Sequence, residues 1–289
     1  MSRSSSSRAR PLRDLALLAL AGVALSGFAG CDEPRASEAP CSLEAGTARY
    51  TLTVGGDERA YRVIVGPEAS RASAAPLVVL WHGYGADAAN IVPALDPREF
   101  WPESILVAPE GLPRTLAGFS DRPRPGWQLR SGEHADRDLA FFDALLEDVA
   151  ARHCVDRSRV YSAGFSNGGY FSNLLGCTRG EALAAIASVA GGGPLAPTCD
   201  GALPVHLTHG SADETVPFEE SRLSYEAWAE RAACADVPAS AANACVGATG
   251  CTAPVELCAF DGSHSWPLFL SPRIVEFLKG QVRRRADGA

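Results

Sequence analysis

The segment G-F-S-N-G at residues 164–168 constrains the fold of this chain more than any other stretch. It follows an apolar, strand-like run at 159–163 and opens a helical pattern in which Tyr170 and Leu174 recur on one face. A serine between a strand and a helix, with glycines two residues to either side, is typical of a nucleophile elbow. Such a serine needs a strained backbone, and a Cβ at either glycine would collide with neighbouring backbone. The pattern therefore predicts that Ser166 is a reactive side chain.

A serine hydroxyl is a weak nucleophile near neutral pH, so the elbow requires a histidine base and a carboxylate that orients the histidine. In α/β-hydrolases these partners follow the serine in the order acid, then histidine, each on a loop after a later strand. Strand-like runs at 204–208 and 255–260 lead into loops that contain Asp213 and His264. The order predicts Ser166 as nucleophile, Asp213 as orienting acid and His264 as general base.

Two other carboxylates remain alternatives for the orienting acid. Glu214 follows Asp213 directly, and Asp261 opens the loop that carries His264. Asp213 is preferred because of its place in the loop after the strand. His209, which opens the same loop as Asp213, is expected to stabilise that loop.

An acyl-transfer site also needs two backbone N–H groups that stabilise the oxyanion. One should belong to Asn167, the residue after the nucleophile, and the other to a loop after an early strand. The apolar run 75–81 reads as a buried strand and leads into an H-G-Y-G segment. Tyr84 is the preferred second donor through its backbone, with Gly83 and Gly85 as alternatives.

Together these segments resemble the feruloyl esterase and polyhydroxybutyrate depolymerase-like group, which includes relatives from carbohydrate esterase family 1. The resemblance rests on H-G-Y-G at 82–85, C-V-D at 154–156, G-F-S-N-G-G at 164–169, H-G-S-A-D at 209–213 and H-S-W-P at 264–267. It covers most of the chain after residue 48. It implies an α/β-hydrolase fold and a serine esterase, and it places the family's nucleophile, acid and base on Ser166, Asp213 and His264. Ser263 stands where that family usually has glycine.

The amino terminus reads as an export signal. Four arginines precede an apolar stretch at 15–29, and small residues then precede Cys31. This is typical of a bacterial lipoprotein signal spanning residues 1–30, cleaved before a cysteine that becomes lipidated. Ordinary secretion is the alternative, and the apolar run is short for a transmembrane anchor. Residues 31–47, rich in Pro, Ala, Ser and Glu, predict a flexible tether before a catalytic domain at 48–284.

Cysteine count and net charge restrict the compartment and the partners. If Cys31 carries lipid, eight of the nine cysteines remain, which suits four disulfides in an oxidising compartment. The chain has no C-x-x-C pair of the kind that binds zinc. Its formal charge of −8 argues against nucleic acid as a partner, because phosphate binding needs a basic patch. The chemistry implies no metal or organic cofactor, and a lipid anchor would be the only membrane attachment.

Strand and helix patterns alternate along the rest of the chain. This alternation predicts an α/β fold with a mostly parallel central sheet and helices on both faces. A hairpin around Gly55 is expected at the sheet edge, and helices are expected at 138–152 and from Ser271 onward, the last one capped by Ser271 and including Val282.

Two tryptophans are candidate substrate-binding side chains. Trp127 lies in the long segment between the early strands and the first long helix, where it could line a cleft or anchor the loop. Trp266 follows His264 by two residues, so it could stack on an aromatic or sugar ring, or shield the histidine from water.

These patterns predict an exported serine carboxylic-ester hydrolase. By resemblance, its substrates are feruloyl or acetyl esters of plant polysaccharide, with polyhydroxyalkanoate esters as the alternative. A non-catalytic envelope lipoprotein that keeps the same fold is an alternative of another class.

Overall fold

The computed structural model describes residues 41–195, 199 and 201–283. The predicted lipoprotein signal at 1–30 and the predicted lipidation site Cys31 lie outside the described residues. The strands are β1 (Gly46–Val54), β2 (Asp57–Val65), β3 (Ala75–Trp81), β4 (Ile105–Pro109), β5 (Leu112–Arg114), β6 (Arg124–Gly126), β7 (Val155–Phe165), β8 (Ala185–Val189), β9 (Val205–Gly210), β10 (Cys245–Gly247) and β11 (Val255–Phe260). The helices are α1 (Ala88–Ile91), α2 (Arg137–Arg152), α3 (Asn167–Thr178), α4 (Phe218–Arg231) and α5 (Ser271–Lys279). Short 3-10 turns occur at Ala69–Arg71, Val92–Ala94, Glu133–Asp136, Gly180–Ala182 and Leu268–Leu270.

Nine of the strands form one sheet in the order β1-β2-β4-β3-β7-β8-β9-β11-β10. The six central strands in this order, β4-β3-β7-β8-β9-β11, pair in parallel. The pairs at both edges of the sheet are antiparallel. The predicted edge hairpin is confirmed as β1 and β2, which pair from Val54↔Asp57 outward. The chain therefore has the predicted α/β-hydrolase fold, in which the loops that follow β3, β7, β9 and β11 meet at one edge of the sheet.

Helices cover both faces of the sheet because the central strands are apolar on both faces. In β3, Leu77, Val79 and Trp81 pack into one core, which also takes the apolar sides of α2, α3 and α4. Val78 and Leu80, which alternate with them, pack into a second core against α1 and α5. The two cores hold the sheet rigidly, so the loops at its carboxyl edge start from fixed positions.

Eight cysteines form four disulfides, as predicted from their number. The pairs are Cys41–Cys154, Cys177–Cys199, Cys234–Cys251 and Cys245–Cys258. The first pair ties the start of the described chain to the residue before β7, and β1 already begins at Gly46. Residues 41–47 are therefore attached to the body of the protein, and the predicted tether at 31–47 extended too far. Among the residues described, no helix combines the length and apolar character that crossing a membrane would require.

The carboxyl-terminal helix differs from its prediction in two details. Helix α5 ends at Lys279, so Val282 lies beyond it and is 57% exposed, not part of its buried face. Ser271 is the first helical residue and does not cap the helix; its hydroxyl donates to the carbonyl of Ala94 at 2.7 Å. This contact fixes the start of α5 against the 3-10 turn that follows α1.

A buried ion pair links the edge of the sheet to the start of α2. The guanidinium of Arg59 donates to Asp138 Oδ1 at 2.9 Å, and both side chains are almost fully buried. Asp138 Oδ2 accepts the backbone N–H of Gln128 at 2.9 Å. The carboxylate therefore also holds the loop that precedes α2, next to the position of Trp127.

Replacing Asp138 with Asn should destabilise the protein strongly, because it leaves the Arg59 guanidinium buried without its counter-charge. We expect the Asp138→Asn substitution to cost about 3–5 kcal/mol of unfolding free energy, as is typical for breaking a buried pair. Urea unfolding followed by tryptophan fluorescence measures this difference.

The exposed pair Arg157–Glu147 provides the matched control, since its side chains are 53% and 69% exposed. Glu147→Gln should change the unfolding free energy by less than about 1 kcal/mol. Equal losses in the two variants would mean that burial does not set the strength of the Arg59–Asp138 interaction.

Candidate active site

Ser166 lies at a sharp turn between β7 and α3. Its backbone has φ 54° and ψ −119°, a strained conformation for a residue with a side chain. A Cβ on Gly164 would lie 2.1 Å from the carbonyl oxygen of Gly168, and a Cβ on Gly168 would lie 2.2 Å from the carbonyl oxygen of Trp81. Both glycines are therefore required by close backbone contacts, as the elbow pattern predicted.

The structure brings together the three side chains that the sequence order singled out. Ser166 Oγ lies 2.9 Å from His264 Nε2, and His264 Nδ1 lies 2.6 Å from Asp213 Oδ2. Asp213 is in the loop after β9, and His264 is in the loop after β11. The other candidate acids, Glu214 and Asp261, are exposed. The hydroxyl, imidazole and carboxylate form a continuous hydrogen-bonded line.

The Asp213 side chain is buried, and both of its carboxylate oxygens have hydrogen-bond partners. Its Oδ1 accepts the backbone N–H groups of Thr215 at 2.8 Å and Val216 at 2.9 Å, while Oδ2 faces His264. Burial acts to raise the pKa of Asp213, but the hydrogen bonds from His264 and from the two backbone groups outweigh it and hold that pKa below its usual value. The carboxylate therefore stays ionised near neutral pH, so it can orient the imidazole.

The loop after β3 lies directly against Ser166. A Cβ on Gly83 would be 3.4 Å from Ser166 Cβ. The N–H of Gly85 donates to the carbonyl of Pro125 at 2.8 Å, so it is already engaged and does not point at a substrate. Of the three predicted second donors, Gly83 and Tyr84 remain. The N–H of Asn167 lies at the first position of α3, where backbone donors have no helical acceptor.

His82 orients this loop, a contribution that sequence reasoning missed. Its Nε2 accepts the N–H of Gly111 at 2.9 Å, which leaves Nδ1 as the donor to the carbonyl of Gly83 at 2.8 Å. Burial lowers the pKa of His82 and so favours this neutral tautomer. Because a peptide carbonyl and the following N–H point in opposite directions, holding the Gly83 carbonyl directs the Tyr84 N–H away from His82. The only sequence signal was that the histidine immediately precedes the glycine.

Trp127 does not line a cleft, so its prediction as a substrate-binding side chain was wrong. Its side chain is completely buried, with the ring packed against Trp81 and Phe171 and the indole N–H donated to the carbonyl of His82 at 2.9 Å. Its backbone N–H and carbonyl both bond to the side-chain amide of Asn167, at 2.7 and 2.9 Å. Trp127 therefore anchors its loop beneath the elbow, which is the other outcome weighed for it.

Trp266 is half-buried and lies in the same loop as His264. Its indole N–H donates to Ser271 Oγ at 3.0 Å, which fixes it against the start of α5. The ring of Phe165 packs on His264 with centroids 4.9 Å apart. Phe165 therefore covers one face of the imidazole, and an open depression beside His264 is lined by Ala212, Glu214, Thr215, Ser263 and His264.

Among the described residues, His206, Glu256 and Cys258 lie close enough together to share a metal ion. Cys258 is bonded to Cys245, so it has no thiolate to offer. Glu256 is already paired with His206 at 2.6 Å and with Arg273 at 2.7 Å. The donor set therefore does not fit a metal site.

Comparison with known proteins identifies the family and supports the fold of this chain. The model of the phospholipase/carboxylesterase family matches residues 62–237. A probable feruloyl esterase C from Aspergillus niger is 32% identical over 172 residues, covering 56% of this chain and 57% of that protein. Feruloyl esterase C from Emericella nidulans is 32% identical over 170 residues, with the same coverage. The chain thus spans little more than half the length of the curated relatives it matches.

Solved structures support the fold at lower identity. An acetyl xylan esterase from Aspergillus awamori superposes with a TM-score of 0.59 at 16% identity, covering 80% of this chain and 99% of that one. A ferulic acid esterase superposes with a TM-score of 0.54 at 16% identity, covering 81% and 97%. Since the family match spans more than half of the chain and includes both the elbow and Asp213, the protein belongs to the phospholipase/carboxylesterase family.

Proposed function

We propose that the protein is a serine carboxylic-ester hydrolase in which Ser166, His264 and Asp213 act as nucleophile, general base and orienting acid. The observation that carries this proposal is the unbroken hydrogen-bonded line from Ser166 Oγ through the imidazole to the buried carboxylate. A non-catalytic envelope lipoprotein would have no need to keep a strained serine backbone aligned with a histidine and an ionised acid.

The reaction follows from this geometry. His264 Nε2 takes the proton of Ser166 as its Oγ attacks the ester carbonyl, and Asp213 stabilises the imidazolium that forms. His264 then gives the proton to the departing alcohol, leaving an acyl group on Ser166. Water attacks this acyl-enzyme with the same imidazole as base, which releases the acid and restores the serine.

The oxyanion is proposed to be bound by the backbone N–H groups of Asn167 and Tyr84. Asn167 contributes a free N–H at the start of α3, and its side chain is locked to the backbone of Trp127. Tyr84 is favoured over Gly83 because His82 holds the peptide unit between them by its carbonyl. Donors fixed in this way need no reorganisation as charge develops in the transition state.

Feruloyl or acetyl esters of plant polysaccharide are the proposed substrates. The support comes from relatives named feruloyl esterase and from a structural neighbour named acetyl xylan esterase. Polyhydroxyalkanoate esters are the second candidate, from the sequence resemblance. Four disulfides are typical of an oxidising compartment, and we propose that the chain is exported and anchored by lipid on Cys31.

Removing the nucleophile should abolish turnover without unfolding the protein. We expect Ser166→Ala to lower kcat by on the order of 10⁶ and Asp213→Asn by on the order of 10⁴, by analogy with other serine hydrolases. Hydrolysis of an aryl acetate measures kcat, and a fluorophosphonate probe should label the wild-type chain but not Ser166→Ala. The exposed Asp261→Asn serves as the control and should keep wild-type turnover; full activity in Asp213→Asn would remove Asp213 from the triad.

A substrate panel separates the proposed ester classes. The purified protein is assayed with methyl ferulate, feruloylated oligosaccharide, acetylated xylan and a hydroxybutyrate oligomer. We expect kcat/KM to be highest for one of the feruloyl or acetyl substrates. A preference for the hydroxybutyrate oligomer would favour the polyester alternative instead.

Lipid attachment is tested on the full-length chain in a bacterial host fed labelled palmitate. Wild type should carry the label and sediment with membranes, because acylation of Cys31 supplies the anchor. Cys31→Ser should lose the label, with Ser265→Ala as an exposed control that keeps it. An unlabelled wild-type chain found in the soluble fraction would point to ordinary secretion.

A further inference from the structure

A second buried histidine contacts the carboxylate of Asp213. His209 lies near the end of β9, four residues before Asp213, and its side chain is completely buried. Its Nε2 is 3.2 Å from Asp213 Oδ2 and 2.8 Å from the carbonyl oxygen of Val216. Both of these neighbours can only accept a hydrogen bond, so Nε2 must carry the proton.

The other ring nitrogen faces a hydroxyl group. Ser221 Oγ, on α4, is 2.6 Å from His209 Nδ1 and 2.9 Å from the carbonyl oxygen of Gly191. Burial lowers the pKa of His209 and so favours the neutral ring. With Nε2 protonated, Nδ1 of the neutral ring is an acceptor, and it competes with the carbonyl oxygen of Gly191 for the single hydroxyl proton of Ser221. The imidazole is therefore fixed by its contacts on both sides and cannot rotate freely.

The Nε2–H of His209 is hydrogen-bonded to the carbonyl oxygen of Val216 and lies beside Asp213 Oδ2, so its positive end faces both oxygens. Asp213 Oδ1 is held by two backbone N–H groups, but those contacts allow the carboxylate to pivot about them. Oδ2 is the oxygen that His264 Nδ1 must meet, and His209 approaches this same oxygen. A donor at this position limits the pivot and keeps Oδ2 in line with the catalytic imidazole.

We propose that His209 is a positioning residue of the Ser166–His264–Asp213 triad, whose Nε2–H fixes Asp213 Oδ2 in the orientation at which it receives His264 Nδ1. The inference rests on the proposed hydrolase function. His209 itself is fully buried and takes no part in bond making or proton transfer. Its contribution should therefore appear in kcat and leave KM close to the wild-type value.

Two substitutions at this position separate hydrogen bonding from packing. His209→Leu fills a similar volume but has no hydrogen-bond donor. His209→Gln keeps an amide N–H near the position that Nε2 occupies in the wild type, and an amide oxygen on the side of Ser221. We expect His209→Leu to lower kcat by about 10-fold to 100-fold, the size of effect that a small misplacement of a catalytic group produces. His209→Gln should recover most of that loss.

His206 provides the matched control. It is also fully buried on β9, but it bonds to Glu256 and Thr208 and does not touch the triad. His206→Leu and His206→Gln should keep wild-type kcat when rates are normalised to the fraction of molecules that react with a fluorophosphonate. A loss in His206→Leu equal to that in His209→Leu would overturn the proposal, because it would show only a general response to removing a buried imidazole.

A second readout needs no turnover. The Nδ1 proton of His264, bonded to Asp213, is followed by proton NMR in each variant. We expect its resonance to shift or to be lost through exchange in His209→Leu, and to persist in His209→Gln and both His206 variants. An unchanged resonance together with wild-type kcat in His209→Leu would refute the positioning proposal. A further outcome is that the wild-type chain hydrolyses no ester while its His264 Nδ1 resonance still depends on His209. That result would refute the hydrolase function but would support the positioning of Asp213 by His209.

Discussion

The backbone contact between the start of α3 and the end of β3 is the constraint on which the rest of the site depends. The Cα of Gly168 approaches the carbonyl of Trp81 so closely that a Cβ would lie 2.2 Å from that oxygen. This approach brings the serine turn against the loop after β3, so that Ser166 and the Gly83–Tyr84 peptide become neighbours. A larger residue at position 168 would separate the two, and the proposed nucleophile would lose its proposed oxyanion donors.

Buried polar contacts stabilise the junction between the start of α3 and the end of β3. Asn167 bonds through its side-chain amide to both backbone groups of Trp127, and the indole of Trp127 bonds to the carbonyl of His82. His82 in turn holds Gly83. Each of these groups is buried, so breaking one contact would leave a polar atom without a partner at a substantial cost in free energy. The chain of bonds links the two proposed oxyanion donors rigidly to each other.

The loop that carries Asp213 is stabilised in a comparable way, by buried hydrogen bonds. Asp213 receives two backbone N–H groups on one oxygen and His264 on the other, and His209 Nε2 lies 3.2 Å from that second oxygen. Buried and ionised, the carboxylate depends on these donors to offset its lost hydration. In this way the loop after β9 is tied to α4 through Ser221, and the proposed positioning of the imidazole at 264 would depend on contacts that lie away from Ser166 Oγ.

Local pattern was enough to predict much of this protein. The elbow glycines follow from backbone sterics, the alternating elements from periodicity and the four disulfides from the cysteine count, which involve only nearby residues or composition. The choice of Ser166, Asp213 and His264 rested on the order in which these groups occur in α/β-hydrolases. Only the tertiary structure decided that the Gly85 N–H is already bonded to Pro125, that Trp127 is buried, that His209 shares the carboxylate with His264, and which cysteines pair. Those outcomes depend on which surfaces meet across the sheet, because the burial of a side chain and the partner of a donor are set by residues far away along the chain.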